Sequence, residues 1–215
     1  MGRPEPTEDE REARRTALLD AAVGAIRKHG PGVSMEDLAK AAGVTKPILY
    51  RHFGHRDGLT TALATRFALG LEESLTTAMA AGNAPRETIE KTIDAYLAFV
   101  ERDPEVYRFL VRRLLVHEQQ RATGGEVTVG NFLRQVGNQV ALVLGEQLRA
   151  ANVDSGGAEP LAHGIVGMVH AAGDWWLDRQ TMPRATLVDY VVGLLWGGFI
   201  GIGLGPQPAN RTEHS

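Results

Sequence analysis

The chain has 215 residues and no cysteine, so disulfides and thiolate metal sites are excluded. Strand signals are weak throughout, which argues against a sheet. Long apolar runs are almost absent. The densest, Tyr190 to Leu204, is uncharged, but its 15 residues fall short of the ~20 that cross a bilayer. It also lacks a basic flank, so no membrane span is expected. The first residues are polar and charged, without the apolar centre of a signal peptide, which makes the cytoplasm the expected location. No nucleophile elbow, phosphate loop, metal quartet or pair of catalytic carboxylates is present, so neither an enzyme nor a cofactor is expected.

An overall excess of basic charge is missing too. The chain carries 23 Lys/Arg against 26 Asp/Glu, a net charge of −3. The distribution is uneven. Residues 1–67 hold 11 basic and 9 acidic groups, and residues 68–215 hold 12 and 17. Most of the N-terminal acids fall between Glu5 and Glu12. From Ala13 to Phe67 nine basic residues face four acids, Asp20, Glu36, Asp37 and Asp57. A basic segment in an acidic chain suits an anionic partner for that segment alone, although a mixed-charge surface gives the same count.

What is present is helical periodicity. Apolar residues recur at three- and four-residue spacing. They predict an all-α fold of about nine helices, over about 10–29, 34–42, 45–53, 58–81, 86–102, 104–120, 127–151, 158–179 and 183–203. Gly30-Pro31-Gly32, Gly43, Gly54, Gly82-Asn83-Ala84-Pro85, Gly124-Gly125 and Gly156-Gly157 punctuate them. The expected division is a flexible arm (1–9), a three-helix head (10–57), a helical body (58–204) and a disordered tail (205–215).

Residues 34–53 carry the most specific signal. Ser34 caps a short helix, Gly43 supplies a left-handed turn, Thr45 caps a second helix, and Pro47 occupies its first turn. This is the layout of a helix-turn-helix, whose second helix enters the DNA major groove. Leu38, Ala39 and Ala42 are expected to face inward on the first helix, and Leu49 and Phe53, four apart, on the second. Thr45, Lys46, Pro47, Tyr50, Arg51 and His52 are then left outside. Thr, Lys and Arg suit phosphate oxygens and base edges. Arg56 begins the next helix, where N–H groups and a cation both favour an anion.

Lys28-His29-Gly30, Val33-Ser34-Met35-Glu36-Asp37-Leu38-Ala39, Ala42-Gly43-Val44-Thr45-Lys46 and Leu49-Tyr50-Arg51-His52-Phe53 resemble, in order and spacing, the TetR family of bacterial transcriptional repressors. The resemblance covers about residues 13–67. It implies a homodimer on a pseudo-palindromic stretch of double-stranded DNA, with a C-terminal body for dimerisation and a small-molecule effector. It places phosphate contacts near Ser34, Tyr50, His52 and Arg56, and base contacts on Thr45, Lys46 and Arg51. Pro47 and Ile48 depart from the family pattern, which commonly has small residues there; they could pack on a thymine methyl.

Two further readings concern the body. Gly193, Gly197, Gly201 and Gly205 recur every fourth residue, and Ala162, Gly164, Gly167, Ala171, Ala172 and Gly173 give the preceding helix small residues as well. Such faces let helices approach closely. Doubled about a two-fold axis, the helices of about 158–179 and 183–203 make a four-helix dimer interface, packing within one chain being the alternative. Candidates for a largely apolar effector site are Tyr96, Phe99, Tyr107, Leu110, Phe132 and Trp175, with Arg113, His117 and Asn138 as polar groups; any of them could equally be core or surface. His163, His170 and Asp174 share one helix face. A histidine–aspartate hydrogen bond is the expectation there rather than a metal site. A helical interaction module without DNA binding is the rival reading of the whole chain.

Overall fold

A computed structural model describes residues 7–118 and 129–204, with side chains except at 112–118 and 129–132. Among the described residues the chain forms nine helices and no strand. They are α1 (Glu8–His29), α2 (Met35–Ala41), α3 (Lys46–Phe53), α4 (Arg56–Ala81), α5 (Pro85–Arg102), α6 (Pro104–Glu118), α7 (Val129–Ala150), α8 (Ala158–Arg179) and α9 (Arg184–Gly201). None of the described helices is long and apolar enough to cross a membrane.

Helix α1 begins two residues before the expected start. Thr7 accepts from the Glu10 backbone N–H, and the Glu10 carboxylate accepts from the Thr7 N–H at 2.9 Å. This reciprocal capping box sets the start, so residues 8 and 9 belong to the helix rather than to the expected arm. Residues 1–6 and 205–215, the rest of that arm and the tail, lie outside the described residues. Asp57 places an acidic side chain in the first turn of α4, where the helix dipole favours it.

The chain folds into two compact units. One comprises the described residues up to Glu72 and those from Val100 to Val129; the other comprises Glu73–Phe99 and the described residues from Gly130. Helices α4 and α5 each contribute to both.

The core of the first unit gathers Leu18, Ala22 and Ile26 of α1, Leu38 of α2, Leu49 and Phe53 of α3, Leu59 and Leu63 of α4, and Val106, Phe109 and Leu110 of α6. Ile26, Leu49 and Phe109 are fully buried. Each such side chain contributes about 1.5–3 kcal/mol through removal of apolar area from water. Arg27 and Asp103 form an ion pair that holds the end of α1 to the residue before α6.

In the second unit Leu144 and Leu148 of α7 cluster with Ala158 of α8. The Trp176 indole N–H donates to the Met182 carbonyl at 2.8 Å, fixing the turn into α9. Asp94 on α5 pairs with Arg184 at the start of α9 at 2.7 Å. Gly173 lies under α5, where a Cβ would stand 3.0 Å from Leu97 Cδ2. Ala162 is fully buried. These two small residues of α8 therefore serve packing within the chain, whereas Gly164 and Gly167 have open space where a Cβ would be.

Candidate nucleic-acid interface

The α2–turn–α3 segment is built by local chemistry. The Ser34 hydroxyl accepts from the Asp37 backbone N–H at 3.2 Å, and the Asp37 carboxylate accepts from the Ser34 N–H and hydroxyl. Hydrogen bonding to Ser34 holds the Asp37 carboxyl below its usual value. Gly43 takes φ +64°, the left-handed conformation that a Cβ disfavours, and turns the chain between the helices. Thr45 stands at the N-cap of α3, as expected, but its hydroxyl makes no capping bond. Pro47 lies in the first turn, where its missing N–H is harmless. Gly54, at φ +73°, ends the helix.

The two faces of α3 separate cleanly. Leu49 and Phe53 are buried, and Thr45, Lys46, Pro47, Tyr50 and Arg51 are exposed. Ile48 and His52 are half-buried. Lys46 Nζ donates to the Glu36 carboxylate at 3.0 Å, a pairing between α3 and α2 that raises the Lys46 pKa. Both side chains are largely exposed, so the pair is worth little to stability and can be exchanged for another acceptor.

Four of the expected contact residues are paired or partly buried within the head. Ser34 is engaged in its capping box. Arg56 Nη2 donates to the Val33 carbonyl at 2.6 Å and ties the start of α4 to the entry of α2. His52 has its Nε2 buried, with no hydrogen-bond partner for that atom. Burial, then the charges of Arg14, Arg51 and Arg15, push its pKa down. The fourth is Lys46, paired with Glu36. Sequence reasoning missed Arg15. Its Nη1 donates to the His52 carbonyl at 3.1 Å, and its guanidinium sits 4.9 Å from the centre of the Phe53 ring. The two residues are 37 positions apart, and no local pattern signals that pairing.

The family model described as bacterial regulatory proteins, tetR family, matches residues 18–63, and the tetracyclin repressor-like C-terminal domain matches residues 74–204. The chain belongs to the TetR family. An HTH-type transcriptional regulator of Mycobacterium tuberculosis is 33% identical over 190 residues, which span 88% of this chain and 78% of that protein. The transcriptional activator FasR of Mycolicibacterium smegmatis is 26% identical over 190 residues, 87% of this chain and 84% of that one. A TetR-family regulator from Pectobacterium atrosepticum shares the fold, with a TM-score of 0.70 at 23% identity over 94% of this chain and all of that one. The regulator FadR from Bacillus subtilis, solved in complex with stearoyl-CoA, gives a TM-score of 0.64 at 17% identity over 84% of this chain and 96% of that one.

As a TetR-family member the protein is a DNA-binding transcriptional regulator, not an enzyme. The effector-site candidates of this regulator divide between its two units. Tyr107 and Leu110 are buried in the first, Tyr107 with its ring 6.4 Å from that of Phe67, and Leu110 in the core that also holds Leu49. In the second, Phe99 is buried and Tyr96 half-buried, while Asn138 and Trp175 are exposed. Arg113, His117 and Phe132 lie outside the described side chains. The Tyr96 hydroxyl and His170 Nδ1 are 3.1 Å apart, and His163 Nε2 and Asn138 Oδ1 are 3.2 Å apart. The charge of Asp174, the expected partner of His170, opposes the larger effect of burial, which lowers the His170 pKa. Among the described residues no three metal-ligating side chains come together.

Proposed function

We propose that the protein is a homodimeric repressor. It reads a pseudo-palindromic operator through the outward face of α3 and releases it when a small, largely apolar molecule binds. The reading is carried by the division of α3, with Leu49 and Phe53 in the core and Thr45, Lys46, Pro47, Tyr50 and Arg51 in solvent. Thr45, Lys46 and Arg51 address base edges, Pro47 meets a thymine methyl, and Tyr50 reaches a phosphate. Ser34, His52 and Arg56 support the same face, Arg56 and Ser34 chiefly by fixing α2 and α4 beside it.

The dimer forms through α8 and α9. Gly193, Gly197, Gly198 and Gly201 have open space where a Cβ would be, and Tyr190, Leu194 and Ile200 on the same helix are exposed. Leu161 and Trp175 add exposed apolar area on α8. An apolar surface of this kind favours a partner helix pair. Two copies of α3 then enter successive major grooves ~34–36 Å apart. The residues up to about 57 act as the reading head in the cytoplasm, and those of about 58–204 as the dimerising and effector-binding body. Within the second unit, Tyr96, Phe99 and Trp175 supply apolar contact to the effector, with Asn138 as its polar partner. Effector binding shifts the population of dimers away from the operator spacing, by no more than its differential affinity for the two states.

Gel-shift titration of the region upstream of the protein's own coding sequence tests the docking face. Lys46→Ala and Tyr50→Ala each weaken binding. Full, salt-dependent binding by both variants would refute the assignment.

A further inference from the structure

The cations on α1 are absorbed neither by the helix-turn-helix pattern nor by the assigned face of α3. Arg15 joins the two helices. Its bond to the His52 carbonyl and its position over the Phe53 ring place that turn of α1 beside the C-terminal end of α3. The last-turn carbonyls of a helix attract a cation, and Arg15 meets that need from a different helix. Arg14, the next residue, is exposed, and Arg51 is exposed on α3. The nearest acids are directed elsewhere. Glu10 is engaged by the Thr7 N–H, Asp20 pairs with Arg66 at 2.6 Å, and Glu12 lies about 160° round the helix from Arg14. His52, pressed by burial and by Arg14, Arg51 and Arg15, holds its proton less readily than an ordinary histidine, as expected beside unneutralised positive charge.

We propose that Arg14 of α1 and Arg51 of α3 form a phosphate clamp at the C-terminal end of the recognition helix, set in place by Arg15. The occupant is the sugar–phosphate backbone of the same duplex whose groove receives α3, so the inference rests on the DNA reading above. Arg14 makes a contact blind to sequence, and Arg15 is a positioning residue. The clamp extends the footprint beyond the helix-turn-helix to the first helix.

The test is filter binding of the full-length protein at several salt concentrations. The probes are the fragment upstream of its own coding sequence and a mixed-sequence duplex of equal length. Arg14→Gln weakens binding to both probes by the same factor. With one phosphate lost from each protomer of the dimer, it also flattens the slope of log K against log salt by about 1.8, so the loss between 50 and 200 mM salt shrinks about 12-fold. Arg14→Lys restores the slope, because a phosphate accepts a point charge. Arg15→Ala weakens DNA binding and also lowers the melting temperature, which Arg14→Gln leaves unchanged. An unchanged slope in Arg14→Gln, with wild type binding and Lys46→Ala still losing preference for the upstream fragment, overturns the clamp alone. Failure of the wild type to bind either duplex overturns both readings.

Discussion

Two glycines inside helices of the first unit should respond to alanine with opposite signs. A Cβ on Gly58, in the first turn of α4, would stand 2.0 Å from the Phe53 carbonyl oxygen and 3.1 Å from its carbon. An ordinary non-bonded contact is ~3.5 Å or more. The obstacle is backbone, so no side-chain rotation relieves it. Either α4 moves away from the end of α3, or the last turn of α3 distorts. Overpacking of that kind costs about 1–3 kcal/mol when side chains can yield, and a clash with backbone belongs at the top of the range, about 3 kcal/mol. Gly24, on the exposed side of α1, has nothing within 4 Å of its would-be Cβ. There alanine relieves the entropic cost of glycine in a helix and adds about 0.5–1 kcal/mol. For a chain of this size, 1 kcal/mol moves the melting temperature by roughly 2–4 °C. Gly58→Ala should therefore melt about 6–12 °C below wild type and Gly24→Ala about 1–4 °C above it, by circular dichroism at 222 nm or calorimetry. Since the displaced element is the seat of α3, Gly58→Ala should also lose DNA affinity while Gly24→Ala keeps it. Equal melting of Gly58→Ala and wild type would refute the close approach of α4 to the Phe53 carbonyl.

Leu49→Ala removes a fully buried side chain under α3 and should cost about 2–5 kcal/mol, read as a lowered denaturation midpoint. Ser34→Ala deletes the cap of α2 and should cost about 1 kcal/mol, measured in the same way, with weaker DNA binding as a consequence. Burial lowers the His170 pKa in the folded state, so the unfolded chain binds more protons there as the pH falls through the ordinary value of about 6.5. Stability from this site is then complete above pH 7 and declines below about 6.5, and His170→Gln should flatten that part of a melting-temperature profile. His52 has the same sign and shares the window, so the double variant should be flatter still. Leu194→Arg on the exposed face of α9 should convert the dimer to a monomer in light scattering and abolish operator binding.

The parts of this molecule set by neighbours in sequence were readable from it. Ser34 with Asp37, the left-handed Gly43, Pro47 in a first turn, and Leu49 with Phe53 four residues on are all decided within a few positions. Thr7 and Glu10 also form a local box, and that signal was legible but outweighed by the polar composition of the first nine residues. Contacts between distant segments were not legible. Nothing near Leu110 says that α6 returns to pack with α1, so a residue read as part of an effector site lies in the core beneath the recognition helix. Nothing near Arg15 points to the end of α3, and the Glu36 that holds Lys46 is ten residues away on another helix. His170 illustrates the same limit. Its sequence neighbour Asp174 suggested an in-helix bond, and nothing nearby points to the hydroxyl of Tyr96, 74 residues earlier, that meets Nδ1.

If the exposed face of α3 reads DNA in duplicate, methylation-interference footprinting of the upstream fragment should show it. Two blocks of major-groove interference are expected, their centres about 10–10.5 base pairs apart, with the Lys46→Ala protein losing the equivalent purine in each block. A single block, or a pattern that Lys46→Ala leaves unchanged, would contradict it.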